Sequence, residues 1–439
     1  MGDNTCPRPR RGRPHPAMSQ TDQTPIDDHR MTPYERRASF SLSAIYAVRM
    51  LGLFMVMPVF ALEARHYAGG NDPSAVGLAL GIYGLVQALL QLPMGWAADR
   101  WGRKRVIVLG LVLFGIGSLL GVGATTVDQL AWARALQGGG AISAAVSALL
   151  ADLTRDGVRT KAMAMIGASI GLMFALSLVL GPFLNSAGGL TLIFAVMAAL
   201  AVGGVLIILF WTPPEPGVHA SPQAAEPGQL RRLLLSADLM RLNLGVFILY
   251  AVQISTWVGL PFLLVQAGLP VADHGWLYLP VVLMSFVVMG VTLFPLERKG
   301  RLRGLFLFSI ALVLVVQLGF AHQSLRDVHM ITMGAWLFLF FCGFNVLEAS
   351  QPSQASRLAH PSVRATVLGI YNTLQSLGIF AGGAVGGVLS KQIGVTGVFV
   401  INAALMGVWL LAAWGMRVVS VHQSTPGVGT ASQTGPSRN

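Results

Sequence analysis

The chain has 439 residues, of which 54% are hydrophobic and only 11% are charged, and its formal net charge is +12. A soluble domain carries about 25% charged residues because water must wet its surface. The composition therefore excludes an ordinary soluble protein and predicts an all-α membrane protein. The positive charge does not indicate a nucleic-acid partner, because the basic residues lie in short loops between apolar runs.

The N-terminal segment, residues 1–38, is polar and contains no apolar run, so we interpret it as a cytosolic tail and not as a cleaved signal peptide. Within it, Thr32-Pro33-Tyr34-Glu35 has the pattern of a capping box with proline at the first helical position. This pattern predicts a short cytosolic helix just before the first span.

Twelve apolar runs follow, each close to the roughly 20 residues that a helix needs to cross a bilayer. They are predicted at about 40–63, 74–97, 106–125, 130–151, 162–184, 190–211, 241–264, 276–296, 304–321, 329–351, 365–390 and 393–416. The first six fill residues 39–212 and the last six fill 240–416. Between them, 213–239 form a Pro-rich cytosolic linker, and 417–439 form a disordered cytosolic tail.

Basic residues are distributed unequally between the two sets of loops. Most of the 30 Lys and Arg residues lie in the two tails and in the loops that follow every second span. The other loops contain Arg65, Arg326 and Lys391. Because Lys and Arg are enriched in cytoplasmic loops, the asymmetry predicts a multi-pass protein of the inner membrane with both termini in the cytoplasm.

The two halves contain a short repeat. Asp99-Arg100-Trp101-Gly102-Arg103 follows the second span, and Glu297-Arg298-Lys299-Gly300-Arg301 follows the eighth. Both have the order acid, Arg, any residue, Gly, Arg, at the same place in each half. The repeat predicts two pseudo-symmetric six-helix bundles related by an axis along the membrane normal.

Three motifs resemble those of the major facilitator superfamily. The stretch from Gly95 to Arg105 resembles motif A, and the stretch from Arg134 through Gln137 to Gly140 resembles motif B. Gly181-Pro182 resembles part of motif C, the antiporter motif, although Ser177 stands where the motif begins with glycine.

Over residues 31–416 the sequence is most similar to the YajR-like bacterial transporters of the drug:proton antiporter branch. The residues that carry this similarity form the stretches 31–38, 49–58, 149–155 and 344–349. Some of these transporters have a small soluble domain after the last span. The tail after residue 416 is too short for one, so we expect none of that domain's functions.

The resemblance implies a charge cluster that latches the two bundles together in the outward-open state. Its members in this sequence are Gly95, Asp99, Arg100, Gly102, Arg103 and Asp152. The alternative for the basic residues is that they serve only to orient the chain in the membrane. The repeat predicts a second copy of the cluster formed by Glu297, Arg301 and Glu348.

Arg49 is the most informative single residue, because it lies about nine residues, or about 13 Å, inside the first predicted span. A charged side chain at such a depth costs at least about 2.5–3.5 kcal/mol, so Arg49 must face a cavity or a partner. Arg134 is a second intramembrane arginine, for which snorkelling to the interface is the alternative. Two buried cations favour an anionic or a neutral polar substrate.

Polar stripes on apolar helices predict the walls of the pathway. Tyr83, Gln87 and Gln91 recur every four residues and so share one face of the second span. Tyr371 and Gln375 repeat this spacing in the eleventh span. The alternative is that they bond to a neighbouring helix. Further candidates for the cavity wall are Gln137, Tyr250, Gln253 and Asn345.

Proton coupling requires an acid that titrates between two access states. The candidates are Glu63, at the outer end of the first span, and Glu348, in the tenth. Two interpretations of Glu348 stay open: it is the third member of the second charge cluster, or it is the protonation site.

The glycine runs predict close contacts between helices and not phosphate-binding loops, because no Lys-Ser or Lys-Thr pair follows them. These runs are Gly138–Gly140, Gly167 with Gly171, Gly382-Gly383 and Gly386-Gly387. The two cysteines, Cys6 and Cys342, stand far apart and do not indicate a disulfide or a metal site.

The sequence therefore predicts a monomeric, proton-coupled exporter of a small molecule that works by alternating access and needs no cofactor or metal, only a proton gradient. Its partners are the lipid bilayer, the small-molecule substrate and protons, without nucleic acid. One alternative is an uptake symporter for a small organic anion. A polytopic membrane enzyme is the other, and it is disfavoured because the nine His residues do not converge on one site.

Overall fold

The computed structural model describes residues 2, 30–215, 236–326, 328–359 and 364–416. Apart from residue 2, the predicted tail up to residue 29 lies outside the described residues. So do linker residues 216–235 and the predicted tail 417–439.

The described residues form eleven α-helices. They are α1 (Pro33–Glu63), α2 (Pro73–Trp101), α3 (Arg103–Val122), α4 (Val127–Gly138), α5 (Ser143–Asp152), α6 (Asp156–Leu206), α7 (Ala237–Gln266), α8 (His274–Arg298), α9 (Leu302–Gln323), α10 (Met330–Leu358) and α11 (Arg364–Trp414). A π-helical turn, Ile207–Trp211, continues α6, and 3-10 turns at Ala64–His66 and Val271–Asp273 follow α1 and precede α8. We call α1–α6 the first half and α7–α11 the second half.

The predicted capping box begins α1. The Thr32 hydroxyl accepts a hydrogen bond from the Glu35 backbone N–H at 3.2 Å, and the Glu35 carboxylate accepts one from the Thr32 N–H at 2.8 Å. The helix predicted here is the beginning of α1, which runs without interruption from Pro33 to Glu63. Pro33 at the first helical position removes only an N–H that would have no partner within the helix.

Both 51-residue helices reverse direction at glycine. In α6, Gly188 and Gly189 have non-helical backbone angles. Before the break, Ser169 donates to the Ser43 carbonyl of α1, whereas after the break the Phe210 carbonyl accepts from Arg37. The chain therefore runs along α1 in one direction and returns in the other.

The second half repeats this arrangement around α7, with the break at Gly394. Before the break, a Cβ added at Gly378 would lie 2.5 Å from the Phe247 carbonyl oxygen, and one added at Gly386 would lie 2.9 Å from Ser255. After it, Asn402 accepts from Ser255 at 2.7 Å. Gly394 has φ +71°, a left-handed conformation that favours glycine and permits the sharp reversal.

The predicted span at 130–151 is interrupted. α4 ends at Gly138 and α5 begins at Ser143, and the glycines between them lie close to neighbouring helices. A Cβ added at Gly138 would lie 2.4 Å from the Tyr83 carbonyl oxygen, and one added at Gly140 would lie 2.8 Å from that of Gly110. Motif B thus lets α4 approach the α2 and α3 backbones.

Burial separates the central helices from those that face outwards. In the most apolar window of α7, 89% of residues are buried, against 22% in α8. Large apolar side chains such as Phe210, Trp276, Ile331 and Leu411 are exposed. Over the described ranges, nine helices are long and apolar enough to cross a membrane. An apolar surface of this extent requires lipid around it.

The two halves contact each other at one end of the molecule. We call this end, near Asp72 and Lys391, the opposite end, and we call the end near Arg103 and Arg357 the basic end. Cβ atoms added at Gly77, Gly81 and Gly84 of α2 would lie 2.4–2.7 Å from backbone oxygens of α11. The glycines therefore let the α2 and α11 backbones touch, and Lys391 Nζ lies 3.1 Å from the Asp72 carboxylate beside them.

The predicted glycine contacts are confirmed at Gly382, Gly383, Gly386 and Gly387, where an added Cβ would meet neighbouring atoms within 3.0 Å. The prediction is wrong for Gly167, which faces open space.

We expect Gly81→Leu to open the opposite end, because a side chain at this position must push α11 away from α2. The measurement is oxidative cross-linking of a protein with Asp72→Cys and Lys391→Cys, which should form an intramolecular disulfide readily. Gly81→Leu should reduce the cross-linking rate at least about fivefold. Gly369→Leu is the matched control on α11, because nothing lies within 4 Å of an added Cβ there. Equal rates in all three proteins would show that the two helices do not touch.

Candidate functional site

The predicted latch residues form an ion-paired cluster in the first half. Arg103 begins α3 and pairs with Asp152 at the end of α5, and its other nitrogen lies 3.9 Å from the Asp99 carboxylate. Both of these ion pairs lie within the first half and do not connect it to the second half. The Asp99 side chain is 74% exposed, so in this conformation the basic end is open at the cluster.

Three other predicted latch residues have different surroundings. The Arg100 guanidinium lies 5.3 Å from the Trp96 ring centroid, so Arg100 stacks on an exposed indole and not on the acids. Gly102 has φ +97° and forms the turn between α2 and α3, which requires glycine. A Cβ added at Gly95 would lie 3.8 Å from Ala144, an ordinary contact, so the packing does not require glycine there.

Glu215, which the sequence analysis missed, holds the turn of this cluster. Its carboxylate accepts the backbone N–H of Arg103 at 2.8 Å and of Lys104 at 3.3 Å, and so caps the N-terminus of α3. Lys104 Nζ donates to the Thr212 carbonyl at 2.8 Å, and Arg37 donates to that of Trp211 at 2.7 Å. These bonds fix the chain that leaves α6 against the charge cluster.

The predicted second copy of the cluster does not assemble, and this prediction is wrong. Glu297, the counterpart of Asp99, pairs with Arg357 near the end of α10. Arg301 is exposed at the start of α9. Glu348 precedes Arg357 by nine residues, or about 13 Å of helix, so it lies deep in the fold and not at the basic end.

Arg49 is buried at the centre of the first half, with 1% of its surface exposed. Its Nη2 donates to the Tyr83 hydroxyl at 2.8 Å and to the Gln87 amide oxygen at 3.4 Å. Its Nε and Nη1 are buried without a partner in the described residues. Arg49 is therefore a buried cation with two donor nitrogens free to bind a further group.

Arg134 does not snorkel, because it is as deeply buried as Arg49. It donates to Gln137 at 2.9 Å, and its guanidinium lies 4.8 Å from the Tyr83 ring centroid. Gln137 in turn donates to Ser118 of α3 at 2.9 Å. Tyr83 thus contacts both cations, Arg49 through its hydroxyl and Arg134 through its ring face.

Glu348 lies in the interior of the second half, on α10. The Tyr250 hydroxyl donates to one oxygen of its carboxylate at 2.5 Å, and the other oxygen is buried without a partner in the described residues. Tyr371 is an electrostatic neighbour of Glu348, and Gln375 lies within hydrogen-bonding reach of Tyr250. The predicted stripe of α11 thus lies beside this carboxylate.

Tyr46 links the two groups. It precedes Arg49 by three residues, which places both on one face of α1, and it has Arg49, Tyr83 and Glu348 as electrostatic neighbours. The cation of the first half and the acid of the second half therefore both lie near Tyr46. The helical spacing from Arg49 could have identified Tyr46.

The remaining predicted residues contribute to the walls or to packing. Gln91 donates to Ser143 at 2.9 Å, Asn345 donates to Ser285 at 2.8 Å, and Gln253 is buried in α7. A Cβ added at Gly181 would lie 2.4 Å from the Met55 carbonyl, so motif C brings α6 against α1, and Pro182 lies inside α6.

Glu63 has structural partners at the opposite end. Its carboxylate accepts from Asn185 at 3.0 Å and lies 3.5 Å from His66 Nδ1. These contacts fix the end of α1 to the turn of α6. They favour a structural role for Glu63 over the proton-coupling role that the sequence suggested.

Comparison with known proteins shows the family from the sequence. The profile of the Major Facilitator Superfamily matches residues 42–383. The chain is 37% identical over 394 residues to the inner membrane transport protein YajR of Escherichia coli strain K12, covering 89% of this chain and 86% of that protein. It is 26% identical over 358 residues to the multidrug resistance protein MdtH of Proteus mirabilis, covering 77% and 82%.

Among solved structures, the crystal structure of a D-xylose–proton symporter superposes with a TM-score of 0.72 at 13% identity, covering 88% of this chain and 98% of that one. At this identity the likeness shows a shared fold.

We expect Glu215→Ala to loosen the start of α3, because it removes the acceptor for two backbone N–H groups. Loss of such a cap costs about 1 kcal/mol, or about fivefold in a local opening equilibrium. Hydrogen exchange of a peptide covering residues 102–106 should accelerate by about this factor, whereas residues 109–114 of the same helix should keep their rate. Unchanged exchange at 102–106 would contradict the contact.

Proposed function

The chain belongs to the Major Facilitator Superfamily, and we propose that it is a proton-coupled secondary transporter of the inner membrane that exports a small molecule by alternating access. One observation carries this proposal. Arg49 in the first half is buried and Glu348 in the second is half-buried, the two are opposite in charge and both lie near Tyr46, and each retains buried polar atoms without a partner among the described residues. Ionisable groups at such depth are costly and mark the path of substrates and protons.

We infer twelve membrane crossings with both termini in the cytoplasm. The reversals at Gly188–Gly189 and Gly394 support the count, because each divides a helix about 76 Å long into two segments that suit a bilayer of about 30 Å. α4 and α5 together supply one crossing. The excess of Lys and Arg at the basic end supports its assignment to the cytoplasm.

With this orientation, the described conformation faces inwards. The contact between α2 and α11 closes the opposite end, and the charge cluster of Asp99 is exposed at the basic end. We propose that the halves rock until Asp99 contacts the second half and the basic end closes. Arg103 and Asp152 then hold Asp99 in place. The Glu215 cap stabilises the turn in both states.

Glu348 is the proton carrier in this scheme. In its protonated form the carboxyl group is neutral and can cross from one access state to the other without a charge to solvate. In its ionised form it needs water or a cation, which the open cleft and Arg49 supply. The cleft therefore takes up a proton on one side of the membrane and the substrate on the other side.

Export is supported by Gly181-Pro182 and by similarity to a multidrug resistance protein. A second candidate is uptake of a small organic anion together with a proton. It is favoured by Arg49 and Arg134, two buried cations without an acid partner among the described contacts, since such a site attracts negative charge.

We expect Glu348→Gln to uncouple transport from protons, because an amide cannot take up the proton. The test uses proteoliposomes with a trapped pH dye and a panel of ethidium, tetracycline and benzoate. For any compound that the unmodified protein moves with protons, Glu348→Gln should lose the proton signal but keep exchange of labelled for unlabelled compound. Glu63→Gln, an acid held by Asn185, is the matched control. Proton movement that persists in Glu348→Gln would contradict the assignment.

We expect Asp99→Asn to slow turnover at least about tenfold with normal membrane insertion, because the closed basic end loses its charged contact. The neighbouring Arg100→Gln should retain near-normal turnover, since Arg100 stacks on Trp96. Initial rates in the same proteoliposomes provide the measurement. Equal losses in both variants would show that the loop acts only through its net charge.

A further inference from the structure

A connected series of aromatic rings crosses the cleft between the halves. Phe54 of α1 contacts Phe174 of α6 with ring centroids 5.0 Å apart, and Phe174 contacts Phe341 of α10 at 5.7 Å. From Phe341 the series continues to Trp257 of α7 at 6.5 Å and to Tyr278 of α8 at 5.5 Å. We call these five residues the ring cluster. It draws on both halves, as a substrate site between them must.

Unlike an ordinary apolar core, the ring cluster contains polar atoms that bond to nothing. Trp257 Nε1 and the Tyr278 hydroxyl are buried without a partner in the described residues, and both residues are at most 1% exposed. Buried polar groups in native proteins nearly always have a partner, so each exception calls for an explanation. If Trp257 and Tyr278 served only for packing, phenylalanine could take their places without leaving a buried polar atom.

His274 adds a third such atom beside Tyr278, at a ring-centroid distance of 5.8 Å. Its Nε2 lies 3.2 Å from the Leu269 carbonyl oxygen. Because a carbonyl only accepts, Nε2 carries the hydrogen, and the buried, unpartnered Nδ1 is left as an acceptor in the neutral ring. The cluster thus offers a donor at Trp257, a hydroxyl at Tyr278 and an acceptor at His274, which together match a hydroxyl group.

Arg49 supplies the other end of the site. It precedes Phe54 by five residues, which is about 7.5 Å of helix rise, close to the length of a benzene ring with two opposite substituents, and about 140° around α1. A substrate that reaches both side chains therefore lies obliquely across the face of α1. Its unpartnered Nε and Nη1 can donate to a carboxylate.

We propose that the substrate is a small aromatic carboxylate with a hydroxyl group opposite the carboxylate. The carboxylate binds Arg49, the ring lies among Phe174, Phe341 and Trp257, and the hydroxyl bonds at Trp257, Tyr278 and His274. This inference rests on the proposed function, because it names the substrate class of the same cleft.

The test compares four probes on the purified full-length protein by calorimetry: 4-hydroxybenzoate, benzoate, cyclohexanecarboxylate and 4-hydroxybenzyl alcohol. We expect 4-hydroxybenzoate to bind at least about threefold more tightly than benzoate and about tenfold more tightly than cyclohexanecarboxylate. The uncharged alcohol should not bind measurably. Equal binding of the three carboxylates would overturn the proposal.

Two conservative variants address the unpartnered atoms while keeping the rings. Trp257→Phe and Tyr278→Phe should each weaken 4-hydroxybenzoate binding about fivefold, the usual effect of one neutral hydrogen bond, and should leave benzoate binding unchanged. Trp409→Phe is the matched control, because Trp409 is fully buried against Phe306 of α9 outside the ring cluster. Unchanged affinity in both variants would mean that these atoms bind only a structural water, and would overturn the hydroxyl assignment.

Two results separate the substrate class from proton-coupled transport. Proton-linked transport of ethidium or tetracycline without binding of any aromatic carboxylate would overturn the substrate class and leave the transporter intact. Binding of 4-hydroxybenzoate without any coupled proton movement would support the site and contradict proton coupling.

Discussion

The structure depends on the stabilisation of a guanidinium group in the middle of an apolar helix. Arg49 cannot reach either surface from the centre of α1, so neighbouring helices must supply polar atoms to it. Tyr83 and Gln87 do so from one face of α2, and the Tyr83 ring also stabilises Arg134. The acid of the second half faces the same region through Tyr46. Charges of this kind are expected in a cleft through which a solute crosses the membrane, and not in a packed apolar core.

The two halves share the arrangement of their helices but differ in the ion pairs of their charged loops. Each has one long helix that reverses at glycine and packs both of its arms on a central helix, α6 on α1 and α11 on α7. The charged loops differ, because Arg103 of the first half pairs with an acid, whereas the acid Glu297 of the second pairs with Arg357. Glu215, which follows α6, caps the charged turn of the first half. The asymmetry is the reason for proposing the conformational latch in the first half and the proton site at Glu348.

Sequence patterns predicted the long apolar helices and the burial of Arg49, because hydropathy and the cost of buried charge are local properties. The cluster of Arg103 with Asp152 was implied by the resemblance to motif A. The patterns did not predict the partners of Glu348 or of Glu297, since these depend on which face of α10 meets which helix. Glu215 was missed because it lies more than a hundred residues from the turn that it caps. The break between α4 and α5 was missed because Gly138–Gly140 still suit a continuous apolar run. Such contacts are set by the fold and not by neighbours in sequence.

Arg49 and Glu348 face one cleft near Tyr46 in the proposed mechanism, and a double-mutant cycle would reveal whether their charges are coupled there. If the two charges share the cleft, each lowers the cost of burying the other, so removing one raises the cost of the charge that remains, whereas removing both does not. The thermal midpoint of the purified protein would be measured for Arg49→Gln, for Glu348→Gln and for the double variant. We expect each single substitution to lower the midpoint and the double variant to lose clearly less than the two combined. Losses that add would show that the two residues do not interact, and would contradict a shared cleft.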